Sequence, residues 1–310
     1  MSTNFPNGLM SYGIPVLGSG MEVPTTTGSY FFVDSNTGSD SSAHGSTPDK
    51  AFATIDYAIG NCTANKGDVI IAMPGHTETL TGAGQLTFDV AGVTLVGLGT
   101  GTLRPNVIQD TATTADVDIT AANVTIRNIL FTASFADVAA SIDLDAANCW
   151  FDNCEWEQEG ANLNWVDVIV TGADNVCDGL KITNCRSMNI DTLNDGFLNC
   201  VGDIDGLVFT GNHIQMGVSG SEPVVEVTGK SLTSCLITHN YIARENIAGA
   251  IFVDSDQTDN DGIVAFNTVF CLDPTGATPF DVTGAGLFEN YSLGAVDASG
   301  LLLPAVDDNV

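Results

Sequence analysis

Residues 117–131, VDITAANVTIRNILF, and residues 142–156, IDLDAANCWFDNCEW, carry the same two signals 25 residues apart. One is an apolar–acid–apolar triplet, Val117-Asp118-Ile119 and then Ile142-Asp143-Leu144. The other is a short apolar strand that closes on asparagine, VTIRN at Asn128 and CWFDN at Asn153. Both signals continue in either direction. Triplets recur at Phe88-Asp89-Val90, Val166-Asp167-Val168, Val225-Glu226-Val227 and Phe280-Asp281-Val282. Leu198-Asn199-Cys200 and Ile251-Phe252-Val253 fill the same slot without the acid. Successive central residues are 29, 25, 24, 32, 27, 26 and 29 apart. The asparagine frame runs on through Asn184, Asn212, Asn240, Asn267 and Asn290, with Gly97 in the slot of the first repeat. Two independent frames sharing a spacing of about 27 residues mark a repeat architecture.

The repeated segments alternate with period two and are rich in Val, Ile, Thr and Phe, which makes them strands. A unit of strand, polar corner, strand, asparagine turn and third strand stacks on its own copies about 4.8 Å apart. Its inward apolar residues then merge into one continuous core. The expected fold is all-β, a parallel β-helix of about eight rungs, right-handed as parallel crossovers are. Asparagine tolerates left-handed backbone at a corner, and its amide can bond its copies above and below. The expected structural ladder is Asn128, Asn153, Asn184, Asn212, Asn240 and Asn267 in one column, with Phe88, Val117, Ile142 and Val166 pointing inward. Four segments follow: an extended apolar arm over 1–28, a cap and entry to the first rung over 29–85, the β-helix over 86–293, and a tail or cap over 294–310. In the N-terminal cap, Pro48 after Ser46 or Thr47 predicts a helix start. Phe52, Ile55 and Ile59 then share the face that plugs the open core.

The entry segment reads GSYFFVDSNTGSD at 28–40, AFATIDYAIGNC at 51–62 and GDVIIAMPG at 67–75. This pattern resembles the entry of the pectate-lyase-like β-helix superfamily, which includes many polysaccharide-acting enzymes and phage tailspikes. The resemblance covers the cap and the rungs, roughly 29–293. It implies the fold, and fold alone does not settle function. The opening TNFPNGLMSYGIPVLGSG, residues 3–20, resembles that of bacteriophage virion proteins encoded near capsid genes.

The chain has 310 residues, with 8 Lys+Arg against 38 Asp+Glu for a net charge of −30, and 44% hydrophobic residues. That is ample for a core and excludes disorder as the main state. Eight scattered basic residues cannot neutralise a phosphate backbone, and an acidic surface is repelled by an anionic bilayer. Neither nucleic acid nor membrane is therefore an expected partner. No apolar run has the length of a membrane span. The first twenty residues lack a basic start and are broken by Pro6, Gly8, Gly13 and Pro15, unlike a signal peptide. Cys149, Cys177, Cys185 and Cys235 lie in apolar strand runs and read as reduced core residues of a protein made in a cytosol.

Candidate functional residues fall into three groups. The arm carries Phe5, Leu9, Met10, Tyr12, Ile14, Val16 and Leu17 with Glu22 as its one charge, and reads as a segment that docks on a partner. The acid triplets bring Asp89, Asp118, Asp143 and Asp167 to rung spacing on one outward face. Three readings of that ladder stand, in this order: a plain solvated face, a weak site for calcium or another hard cation on Asp118, Asp143 and Asp167, and paired carboxylates for glycoside hydrolysis. No other cofactor is indicated. The third group is diffuse. Asp254, Asp256, Asp259 and Asp261 form an acidic loop without EF-hand order, and Asp191 and Asp195 suit a turn. The four histidines show no metal-ligand spacing, and His213 and His239 flank the asparagine corner. Arg127, Lys181, Arg186, Lys230 and Arg244 are the bases of the central rungs and sit in no motif; the RIK and GHG signatures of pectin hydrolases are absent.

On these grounds the chain is expected to be a non-enzymatic bacteriophage virion protein, a capsid decoration or cement protein on the head surface, made in the host cytoplasm. Its arm is expected to dock on the major capsid protein or another virion protein, and its rod to assemble as a homotrimer. The alternative is a tailspike-like polysaccharide-binding or depolymerising protein, hydrolase or lyase, with a glycan as its ligand.

Overall fold

The computed structural model describes residues 23–188, 196–217, 223–227, 229–244, 250–255, 257–271, 278–293 and 300–302, together with Met10–Ser11, which pairs antiparallel with Ile14–Pro15. Phe5, Leu9, Tyr12, Val16 and Leu17 of the arm lie outside the described residues, as do Asp191, Asp195 and Asp256.

From Tyr30 onward the chain coils into three long sheets. The first holds ten strands, from Tyr30–Val33 and Val69–Ala72 to Gly286–Phe288. The second holds ten, from Thr77–Leu80 to Gly300–Leu302, and the third eight, from Thr87–Phe88 to Thr278–Val282. Neighbours in each sheet are successive rungs in parallel register, which is the parallel β-helix expected. The exception is Gly300–Leu302, antiparallel to Asn290–Leu293. This places the C-terminal Leu301 on the last rung, where it covers a sheet edge otherwise open to pairing.

Inward residues stack in line because the register is kept. Ile126, Phe151, Ile182, Phe209, Ile237 and Val264 are consecutive partners on the first sheet, and all are buried. An aromatic spine runs through the same interior. Phe131 stacks on Trp156 at 5.3 Å between centroids, and Trp156, Phe197, Phe209, Phe252 and Phe280 continue it at 5.3–6.0 Å. Each such ring contributes about 1.5–3 kcal/mol when fully buried. Both buried indoles are satisfied: the Trp156 indole donates to Ser141 Oγ at 3.1 Å, and the Trp165 indole to Gln109 Oε1 at 2.6 Å.

The asparagine corner forms two columns rather than one. Asn128, Asn153 and Asn184 follow their strands directly and take left-handed backbone, φ 56°, 54° and 55°. In the later rungs the corner keeps the same length, but Gly211, His239, Phe266 and Glu289 hold the left-handed position and the asparagine stands one place later. Asn212, Asn240, Asn267 and Asn290 thereby shift one place onward and turn into the core, where the earlier rungs carry Ile129, Cys154 and Cys185. There they form a continuous ladder. The backbone N–H of each of Asn212, Asn240 and Asn267 donates to the next side-chain carbonyl at 2.9–3.1 Å, and each amide donates to a strand carbonyl of the preceding rung, such as Phe209 O at 2.9 Å.

The capping helix is shorter and later than Pro48 suggested. It spans Ile55–Ile59, capped by Thr54, whose Oγ1 accepts from the Tyr57 N–H at 3.3 Å. Asp40 accounts for the delay. Its carboxylate accepts from the N–H groups of Ala53 and Thr54 and from the Thr54 hydroxyl, holding residues 53–54 extended until the cap. Ile55, Ala58 and Ile59 cover the core end, with Phe52 beside them. Cys62, Cys149, Cys154, Cys177, Cys185, Cys200 and Cys235 are free thiols, all but Cys62 buried. Burial pushes Cys62 up to about 12 and Cys149 and Cys235 to about 11.

Candidate functional site

The third sheet sets the register of the acid ladder and corrects it. Asp118 pairs directly with Asp143 on the next rung. Asp143 then faces Val170, and the column continues through Asn199, Glu226, Asp254 and Asp281. Asp167 is not in it. The seven-residue strand Trp165–Thr171 aligns Ile169, not Val166, with Ile142, because burying Trp165 and Ile169 outweighs burying Val166. Asp167 is left beside Ala140, buried, with its carboxylate accepting from the Gly196 N–H at 3.0 Å and the Asn199 amide at 2.9 Å. Asp89 also drops out, since Thr87 is the partner of Asp118. Phe252 is buried with Val253 at a register shift, so Asp254 takes the outward slot in that rung.

A residue the sequence pattern did not single out completes the group. Asp116 lies two places before Asp118, and alternate strand residues share a face. The carboxylates of Asp116, Asp118 and Asp143 offer oxygens all within 4.8 Å of one another. Val117, Ile119, Ile142 and Leu144, all buried, hold the three from beneath. Burial raises the Asp116 carboxyl above its ordinary range, and the charges of Asp118 and Asp143 add to the rise. Asp143 is raised by burial, then by Asp145 and Asp118. The described strands of this sheet contain no Lys, Arg or His. Three oxygens at this separation suit a hard cation, and paired carboxylates about 5 Å apart suit acid–base or nucleophilic work at a glycosidic bond.

A second charged group stands on the second sheet. Glu155 is bridged by Arg104 at 2.6 Å and Arg186 at 3.2 Å, and Arg186, His213 and Tyr241 follow it in register on successive rungs. Burial, with the charge of neighbouring Glu155, raises Glu157; burial and Arg186 lower His213. His213 meets the Tyr241 ring edge-on at 4.8 Å, and His239 lies against Phe266 at 5.0 Å. In the acidic loop, Asp259 accepts from the Ser231 hydroxyl at 2.6 Å and Asp261 from the Ser234 N–H, so both brace the turn that leads into the first sheet, away from the asparagine corner. At the cap, a cavity of about 430 Å³ is lined by Ser35, Thr54, Thr77, Glu78 and Gln85. Buried His76 accepts there from the Ser35 N–H at 3.0 Å and lies 3.3 Å from Glu78, whose carboxylate also accepts from the Ile55 N–H. That pair ties the helix to the first rung.

No protein-family model matches the chain, and no curated protein is similar to it. Among solved structures it is similar to a rhamnogalacturonan lyase, at 14% identity and TM-score 0.49, over 89% of this chain and 78% of that one. It is also similar to a pectate lyase from Bacillus sp. N165 in complex with trigalacturonate, at 13% identity and TM-score 0.42, over 76% and 78% of the two chains. The fold rests on the strand register above, not on these likenesses. They do correct one expectation: both are enzymes, so a β-helix of this kind gives no ground for calling the chain non-enzymatic. The expected links to a phage, a capsid and a trimer find no support in the fold or in these likenesses.

Proposed function

We propose that the chain binds a polysaccharide along the outward face of the third sheet and depolymerises it there, with Asp116, Asp118 and Asp143 as the reactive group. The observation that carries this reading is the convergence of three carboxylates within 4.8 Å on a rigid, solvent-facing strand pair. Two of them are held above their ordinary range, so a proton is retained in the cluster to higher pH than an isolated aspartate keeps it. Such a group can donate a proton to a leaving oxygen while a neighbouring carboxylate stays ionised. Fully ionised, the same oxygens of Asp116, Asp118 and Asp143 could instead hold a hard divalent cation, which would supply charge neutralisation and a contact for an acidic or hydroxyl-rich sugar. The rungs below and above keep the carboxylates at fixed spacing, as a site requires.

The test is incubation of the full chain with a panel of neutral and acidic polysaccharides, with and without calcium. New reducing ends are read together with the ultraviolet absorbance of unsaturated products. Hydrolysis gives reducing ends alone, and elimination gives both. The absence of any cleavage across the panel, with and without calcium, refutes the proposal.

A further inference from the structure

The cavity of about 430 Å³ at the cap lies where the N-cap residue of the helix, Thr54, meets Thr77–Leu80, the edge strand of the second sheet. Its volume is that of a small-ligand pocket. The N–H groups of Asn106 and Asp110 donate to His76 O and Leu80 O, so the alternate residues Thr77 and Thr79 turn their backbone groups away from the next rung, toward the open edge. The Thr77 N–H donates to Ser35 Oγ at 2.9 Å, whereas the Thr79 N–H and C=O have no partner among the described residues. Glu78 stands in the cavity wall and is only 8% exposed. Both of its contacts fall on one oxygen: Oε2 accepts from the Ile55 N–H at 2.9 Å and faces His76 Nε2 at 3.3 Å. Because His76 Nδ1 accepts from the Ser35 N–H, the ring proton sits on Nε2, and the imidazole brings Glu78 a hydrogen bond without a positive charge. The other oxygen, Oε1, has no partner among the described residues and is not sealed in, so it opens on the cavity.

None of the residues lining the cavity is Lys or Arg, and more negative charge stands nearby. Burial raises the Asp56 carboxyl, and the charges of Glu78, Asp89 and Asp40 add to the rise. A buried carboxylate without a cation is costly, so the cavity favours a ligand that brings one. A hard metal ion alone does not fit, since it takes about six to eight oxygens and the cavity offers one free carboxylate oxygen. The hydroxyls of Ser35, Thr77 and Thr79 and the Gln85 amide line the same space and can serve the hydroxyls of a sugar ring. We propose that the cap cavity binds an amino sugar, with the ammonium group on Glu78 Oε1 and the ring hydroxyls on Ser35, Thr77 and Thr79. Binding at the cap is independent of the polysaccharide reading of the third sheet.

The test is calorimetric titration of the full chain, at low ionic strength, with the glucosamine dimer, its N-acetylated form and the galacturonic acid dimer. The glucosamine dimer is expected to bind at one site, roughly tenfold or more tighter than the N-acetylated form, because acetylation removes the charge that meets Glu78. The galacturonic acid dimer is expected not to bind. Glu78→Gln keeps an oxygen for the Ile55 N–H and should weaken binding of the glucosamine dimer by roughly tenfold or more. Thr79→Val, at an exposed position, should weaken it by about threefold. No binding of the glucosamine dimer, equal affinity for its N-acetylated form, or unchanged affinity in either folded variant overturns the proposal. Tighter binding of trialanine also overturns it, since that makes the open strand edge a peptide site. Cleavage plays no part in these measurements, so their failure leaves the carboxylate trio untouched, and an inactive trio leaves the cap site untouched.

Discussion

Replacing Asp118 by asparagine separates the electrostatic cost of the carboxylate trio from its use. Asp118 shares the cluster with Asp116 and Asp143, with oxygens within 4.8 Å. At that distance two unit charges repel by about 0.9 kcal/mol in bulk water and about 3.5 kcal/mol at an effective dielectric of 20. The three groups face solvent on one side, so the lower end applies: about 1 kcal/mol per pair, and about 2 kcal/mol for the two pairs that Asp118→Asn removes. An unfolding entropy near 2.1 cal/mol/K per residue over 310 residues converts this to a Tm higher by about 3 °C. Calcium should reverse the order. A cation that binds only the native trio at a hundred times its Kd adds about 2.7 kcal/mol to the wild type, or about 4 °C, and little to the variant. The pH dependence follows from the raised carboxyls of Asp116 and Asp143. Between the unfolded and folded values the native state binds the extra protons. The penalty is therefore complete above the folded values and fades as pH falls through them, and the advantage of Asp118→Asn fades with it. The assay is calorimetric melting of both proteins at neutral and acidic pH, low ionic strength, with and without millimolar calcium. A variant no more stable than wild type without calcium, or an equal calcium shift in both proteins, refutes the reasoning.

Three further outcomes are expected. Asn240→Ala removes a buried amide that accepts from the Asn212 N–H and donates to Phe209 O, and should destabilise by about 2–4 kcal/mol. Asn153→Gly, at an exposed left-handed position, should lie within about 1 kcal/mol of wild type; equal losses in the two denaturant melts contradict the two-column corner. Arg186→Gln should raise the His213 pKa, because the guanidinium charge that helps to depress it is gone, and an unmoved imidazole shift in an NMR titration contradicts that assignment. Cys149 and Cys235, pushed up to about 11 by burial, should react with a thiol reagent at pH 8 only at the rate of unfolding; fast labelling of either in the folded protein contradicts their core placement.

The repeat was legible because both frames record one physical demand, an apolar residue inward at every rung. Where two apolar triplets overlap within one strand, the pattern is ambiguous. WVDVIVT accommodates Val166 or Ile169 as the inward residue, and only the packing of Trp165 against its neighbours decides for Ile169. The asparagine column split for a similar reason. In LKITNC and LVFTGN the corner has the same length, but Gly211 takes the left-handed slot of Asn184 and Asn212 takes the core slot of Cys185. Asp116 was hidden because a strand-edge residue outside the triplet joins the site through side-chain reach rather than repeat position. The ion pair of Arg104 with Glu155 joins residues 51 apart in the chain, and neither frame encodes it. The second-sheet group has a sequence signal in the second residue after each left-handed corner position, where Glu155, Arg186, His213 and Tyr241 fall in register.

The central claim is that the carboxylate trio is the reactive group, and it is tested most directly by a matched pair of neutralised aspartates. Asp118→Asn removes a member of the trio, whereas Asp281→Asn makes the same charge change at the exposed far end of the same column. On whichever polysaccharide the full chain cleaves, Asp118→Asn is expected to lower kcat/KM by roughly a hundredfold or more while its melting curve stays cooperative, and Asp281→Asn to remain within about twofold of wild type. Equal activity in the two variants, whether both are retained or both are lost, contradicts the account.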